Sequence, residues 1–122
     1  MVTAESGQKN YLTQISNGTS NLCSDTAGDS GGLFGPYDLL CAGYAACLNI
    51  TVRMVLDKMD LKYDSVVTRI DVDEAEPDST VFLYQVEIVG DIGGAAKEAV
   101  ISKALNCPVR RALSKRIAFK PM

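Results

Sequence analysis

Four cysteines and the complete absence of histidine define the chemistry open to this 122-residue chain. Cys23, Cys41, Cys47 and Cys107 are separated by 18, 6 and 60 residues. There is no C-x-x-C pair, and these spacings match no common zinc motif. Cys47 lies inside an apolar, helix-like run, AGYAACLNI, and Cys107 stands at the head of NCPVRRAL. A thiol attacks as its thiolate, so its surroundings decide whether it reacts. Cys107 precedes Pro108 at a predicted helix start, where backbone N–H groups and the positive end of the dipole favour a thiolate. Arg110 and Arg111 follow in the first turn and add positive charge. Free cysteine is also a small hydrophobe that is often simply buried. A reactive pair and two inert core thiols are both open on these residues.

Without histidine there is no Ser-His-Asp triad and no Cys-His pair. The stretch GDSGG at 28–32 resembles the nucleophile segment of trypsin-like proteases, but that chemistry needs a histidine base. It is expected to be a flexible turn in a Gly-rich loop running from Ala27 to Gly35, whose composition would permit movement to admit a substrate. Asn17 in NGT and Asn49 in NIT match the glycosylation pattern, which is without meaning in a chain that is not secreted.

The elements that would position the thiols can be read from patterning. KNYLTQISNGTSNLCSD reads as two short strands around an Asn-Gly turn. Pro36 suits a first helical position and Asp38 a first turn, so a helix is predicted from Pro36 to about Met59. On a wheel of about 100° per residue, Leu40, Gly43, Ile50 and Met54 fall near Cys47, placing that thiol on the expected buried stripe. Cys41 lies about 120° round and about 9 Å along, outside disulfide reach. The partner for Cys47 must then come from tertiary structure, and Cys107 is the better candidate. Cys23 and Cys41 read as structural.

SVVTRIDVD and TVFLYQVEIVG alternate and are joined by EAEPDS, an antiparallel hairpin. GAAKEAVISKALN is a second helix, ended near Cys107 by the following proline. A short helical turn, PVRRALSK, and a last strand, RIAFK, complete an α+β fold in a single domain over residues 1–122.

The composition, 47% hydrophobic and 22% charged, is that of an ordinary globular protein. A net charge of −3 gives no electrostatic reason to bind nucleic acid or an anionic membrane. The N-terminus has no basic n-region followed by an apolar stretch, so no signal peptide is expected. No apolar run is expected to reach membrane-spanning length. A cytoplasmic location follows, where cysteines are more often redox-active or buried than a disulfide framework.

GPYDLLCAGYAACLNITVRM, with Pro36 eleven residues before Cys47, and NCPVRRAL together resemble the osmotically inducible protein C / organic hydroperoxide resistance (OsmC/Ohr) family, in its OsmC-like branch. The resemblance implies antiparallel strands packed around a long central helix, in an intertwined homodimer with two active sites at the subunit interface. It implies a stress-response, antioxidant thiol peroxidase with no metal or bound cofactor. Cys47 matches the peroxidatic cysteine that attacks an organic hydroperoxide. Cys107 matches the resolving cysteine, and a dithiol or lipoylated protein serves as reductant.

There are two departures. Tyr37 follows the proline where the peroxide-resistance branch has an acid, and Asp38 matches the acid of the broader branch. No arginine precedes Arg53, so the thiolate support that an N-terminal arginine gives elsewhere falls to Arg110, Arg111 or a partner-subunit side chain. The alternative reading is a protein of the same fold that holds a small hydrophobic ligand, with little or no peroxidase activity.

Overall fold

A computed structural model describes residues 1–26 and 32–122. The GDSGG motif, apart from Gly32, and the first part of the Gly-rich loop lie outside the described residues. The chain forms two compact units, Met1–Leu40 and Cys41–Met122.

The first unit is a three-stranded antiparallel sheet of β1 (Thr3–Ser6), β2 (Thr13–Ser16) and β3 (Asn21–Ser24), in that order. Asn17 and Gly18 make the predicted turn between β2 and β3. The Asn17 side-chain oxygen accepts the backbone N–H groups of Thr19 and Ser20 at 3.0 and 2.8 Å. Gly18 takes φ +93°, a conformation open to glycine. β1 was not anticipated, because TAES has neither alternation nor β-branched weight. It is held by pairing Thr3 to Ser16 and Ser6 to Thr13.

Helix α1 spans Pro36–Lys58, as predicted to within a residue. Pro36 occupies its first position, and the Gly35 N–H donates to Asp38 Oδ2 at 2.8 Å. Such a carboxylate ties off a backbone donor that the helix itself leaves free. By length and composition α1 could cross a bilayer, contrary to the sequence expectation. Polar Asn49, Thr51 and Tyr44 interrupt its apolar run without lowering its average enough to fail that test.

In the second unit α1 continues from Cys41, followed by β4 (Ser65–Asp73), β5 (Val81–Val89), α2 (Gly94–Ala104) and α3 (Pro108–Leu113). β4 and β5 form the predicted hairpin. The four residues expected on each inner face stand directly opposite one another: Val66 with Ile88, Thr68 with Val86, Ile70 with Tyr84, Val72 with Phe82.

The core joins Tyr44, Leu48, Val52 and Leu56 of α1 to Ile88, Val100, Ala104 and Cys107, with Val66, Ile70 and Phe82 against them. Two side-chain bonds fasten α1 to β4. Asn49 Nδ2 donates to the Val66 carbonyl at 2.8 Å, and Thr68 Oγ1 to the Ala45 carbonyl at 2.9 Å. Asn49 is thus committed to the fold.

The buried stripe of α1 is not the one the wheel picked. Ile50 and Met54 are 44% and 64% exposed, whereas Leu48, Val52 and Leu56 are fully buried. α1 is apolar almost all the way round, so hydrophobicity alone could not say which side meets the hairpin. The expected last strand is also absent, for residues 116–120 pair with no strand among the described residues. The alternation of Ile117 and Phe119 supplies a strand's pattern, but no sheet edge takes it up.

Candidate active site

Cys47 sits one residue before Leu48, at the margin of the core stripe, and is half-buried. Its Sγ accepts the backbone N–H of Val109 at 3.4 Å. That N–H belongs to the first turn of α3, where donors have no partner within the helix. Sixty-two residues of sequence separation are thereby closed by a single contact from helix end to thiol.

Cys107 is the N-cap residue of α3, with extended backbone (φ −65°, ψ 158°) and Pro108 behind it. It is fully buried. Burial pushes its thiol pKa up, and the adjoining Cys47 thiol pushes the same way, against the pull of the Arg110 and Val109 backbone N–H groups. The sequence reading of Cys107 as a thiolate favoured by the helix start is therefore corrected. The donors are present, but removal from water outweighs them. Neither Cys47 nor Cys107 is in a disulfide, and Cys23 is likewise a thiol.

Arg110 and Arg111 part company. Arg111 Nη1 donates to the Asn106 carbonyl at 3.2 Å on the exposed side of α3. The Arg110 guanidinium lies over the Tyr84 ring, 5.5 Å from its centroid, within cation–π range. Its Nη1 is buried and has no hydrogen-bond partner among the described residues. A buried donor left without an acceptor costs about 1–3 kcal/mol.

Tyr44, one turn before Cys47 on α1, is 3% exposed and meets Phe82 edge-on at 6.0 Å. Burial raises its phenol pKa, opposed by the Arg110 charge and assisted by Cys107. An open cavity of about 210 Å³ runs between Tyr44, Phe82, Tyr84, Arg110, Leu113 and Ser114.

The structure thus gathers Cys47, Cys107 and Arg110, and adds Tyr44 and Tyr84. Asp38 has its local bond at the start of α1, and Arg53 turns to Asn49 Oδ1 at 3.0 Å on an exposed face. The sequence reading passed over Tyr44, although a phenol one turn from a cysteine on the same helix was a visible signal. Tyr84 was assigned to the hairpin's inner face, with no hint of the cation above it. Among the described residues no three His, Cys, Asp or Glu side chains are grouped to hold a metal.

The sequence model of the OsmC-like proteins matches residues 28–121, most of the chain and both cysteine segments of this site. The chain belongs to the OsmC-like family. Solved structures agree on the fold. The OsmC-like protein of Mycoplasma pneumoniae superposes with a TM-score of 0.80 at 16% identity, over 93% of this chain and 85% of that one. An organic hydroperoxide resistance protein of Legionella pneumophila gives 0.66 at 23% identity, over 93% and 88%. The organic hydroperoxide resistance protein of Bacillus subtilis gives 0.67 at 18% identity, over 93% and 89%. No curated protein matches the chain.

Proposed function

We propose that this OsmC-like protein is a cysteine-based peroxidase that reduces organic hydroperoxides. The observation that carries the reading is the junction of Cys47 and Cys107 at the first turn of α3, with a backbone donor aimed at the Cys47 sulfur. In the first step the Cys47 thiolate attacks the outer oxygen of ROOH. The O–O bond breaks, Cys47 becomes a sulfenic acid, and the alkoxide leaves as ROH after taking a proton. In the second step Cys107 attacks the sulfenate sulfur, forming the Cys47–Cys107 disulfide and releasing water. A dithiol, free or lipoyl-borne, then reduces the disulfide and is itself oxidised.

The two environments suit this division of labour. Cys107, held as a neutral thiol by burial, does not compete for the peroxide, and it lies beside the sulfur it must later reach. The Val109 N–H donates a hydrogen bond to the Cys47 sulfur, the atom that attacks the peroxide. Arg110 adds positive charge nearby, while Arg111 donates to the Asn106 carbonyl and Asp38 accepts from the Gly35 N–H. The exposed apolar side chains Ile50 and Met54 on α1, and Leu83 on β5, fit burial in a homodimer. The name of the Legionella relative, an organic hydroperoxide resistance protein, supports a peroxide substrate. A cytoplasmic place is part of the same proposal.

A ligand-binding role for the same fold is favoured by the aromatic cavity beside the thiols. The two readings separate on turnover. A peroxidase consumes an organic hydroperoxide many times per protein when a dithiol is supplied, and Cys47→Ser stops it. Equal consumption by wild type and Cys47→Ser would leave the binding role.

A further inference from the structure

Helix α3 carries both groups that meet Cys47, the Cys107 thiol at its cap and the Val109 N–H in its first turn. It is poorly equipped to hold them in place. It has six residues, none of them fully buried. A helix of that length is not stable on its own, so contacts outside it must fix its position. Val109 supplies one, partly buried against the core. Arg110, the next residue, supplies the other.

The Arg110 side chain makes no ion pair among the described residues and meets two tyrosines of different elements instead. Its guanidinium carbon lies 5.5 Å from the centre of the Tyr84 ring on β5. Its charge and N–H groups also reach the Tyr44 phenol on α1. Nη1 is wholly shielded from water, so this cation is enclosed by what it touches. The Tyr84 ring sets the guanidinium plane, and the phenol sets its reach. Tyr44 is itself fixed by Phe82, edge-on at 6.0 Å. It precedes Cys47 by three residues, so the anchor of α3 and the thiol that α3 serves stand on adjoining turns of one helix.

We propose that Tyr44 and Tyr84 are positioning residues for the thiol pair: together they clamp the Arg110 side chain, and through it they hold the first turn of α3 against Cys47. This role rests on the reading of Cys47 and Cys107 as the reacting pair. Without the clamp α3 frays from its first turn. The Val109 N–H then leaves the Cys47 sulfur, and Cys107 loses its fixed approach.

Hydrogen exchange at the Val109 amide of the reduced protein reads the clamp directly. The amide of Leu56, in the buried stripe of α1, reports any general loss of stability. Tyr44→Phe keeps the ring and removes the oxygen that Arg110 reaches. It is expected to speed Val109 exchange at least about fivefold beyond any change at Leu56. Tyr84→Leu removes the ring face and is expected to speed it about threefold, whereas Tyr84→Phe keeps the face and the wild-type rate. Closure of the Cys47–Cys107 disulfide by diamide, which requires no peroxidase activity, is expected to slow in the same order. Should Tyr44→Phe fail to fold, the two Tyr84 variants decide the matter, since that side chain is 44% exposed. Unchanged Val109 exchange, or a rise shared equally by Leu56, would overturn the proposal. So would Tyr84→Phe behaving as Tyr84→Leu does, or faster Val109 exchange with disulfide closure unaltered. A wild type that closes no Cys47–Cys107 disulfide would overturn the pairing of the thiols instead, and Val109 exchange would still decide the clamp.

Discussion

Cys47 and Cys107 adjoin, and both lie against the first turn of α3, but their surroundings differ. Cys47 is half-buried at the edge of a helix stripe and receives the Val109 N–H on its sulfur. Cys107 occupies the helix cap itself, the position usually credited with activating a thiol, yet it is sealed from water and its pKa is raised. The difference teaches that a helix-cap position does not by itself lower a thiol pKa. With water removed, the same N–H groups are too few to offset the loss. The cap position makes Cys107 a guarded thiol, while the Val109 N–H two residues on reaches the Cys47 sulfur.

The contrast is broken most decisively by exchanging each sulfur for oxygen. Cys47→Ser is expected to lower the rate of the first peroxide turnover by about a thousandfold or more, as removal of a nucleophile does. Cys107→Ser is expected to leave that turnover intact and abolish the later ones. Rapid-mixing measurement of peroxide consumed per protein distinguishes the two, and equal losses would refute the division of roles.

The packing that presses α1 on the core is tested next. Leu48→Ala removes a fully buried side chain beside Cys47 and is expected to lower stability by about 2–5 kcal/mol in urea unfolding. Met54→Ala, on the exposed side, is expected to change monomer stability by no more than about 0.5 kcal/mol. A larger loss for Met54 that depends on protein concentration would show that a second copy covers that face.

The raised pKa of Cys107 has a signature in pH. The folded protein holds this proton more tightly than the unfolded chain does. The resulting stability is therefore complete below the ordinary thiol value of about 8.5 and declines as pH rises from there toward the raised value. Cys107→Ala is expected to flatten that decline, read from unfolding midpoints at neutral and mildly alkaline pH. Tyr44 is raised from 10.0 by burial and adds a second decline at higher pH, so the comparison belongs below that range.

The smallest effect is expected at the first turn of α1. Asp38→Ala removes the acceptor for the Gly35 N–H and should cost about 0.5–1 kcal/mol of stability. A negligible cost would mean that Pro36 alone is enough to start α1.

Much of this arrangement was legible in the sequence because local signals happened to be unambiguous. Pro36 with Asp38 fixed the start of α1, Asn17-Gly18 fixed the β2–β3 turn, and strict alternation gave the β4–β5 faces to the residue. The two cysteine segments likewise named the thiols that the fold brings together. What could not be read was everything decided by which surfaces meet. The apolar circumference of α1 concealed its true core side, and RIAFK carried a strand pattern that pairs with no strand among the described residues. The sealing of Cys107, and with it the direction of its pKa, is a property of the packed second unit. The separation of Arg110 from Arg111 is similar, since adjacent residues of one helical turn point about 100° apart and only the position of Tyr84 decides which is used.

The measurement closest to the central claim is the intact mass of the reduced protein after one equivalent of an organic hydroperoxide, with Cys107→Ser treated in parallel. The account predicts loss of two hydrogens in the wild type, mapped to a Cys47–Cys107 disulfide, and gain of one oxygen on Cys47 in the variant. An unchanged mass in both, or oxygen gained on Cys107 in Cys47→Ser as fast as on Cys47 in Cys107→Ser, would contradict it.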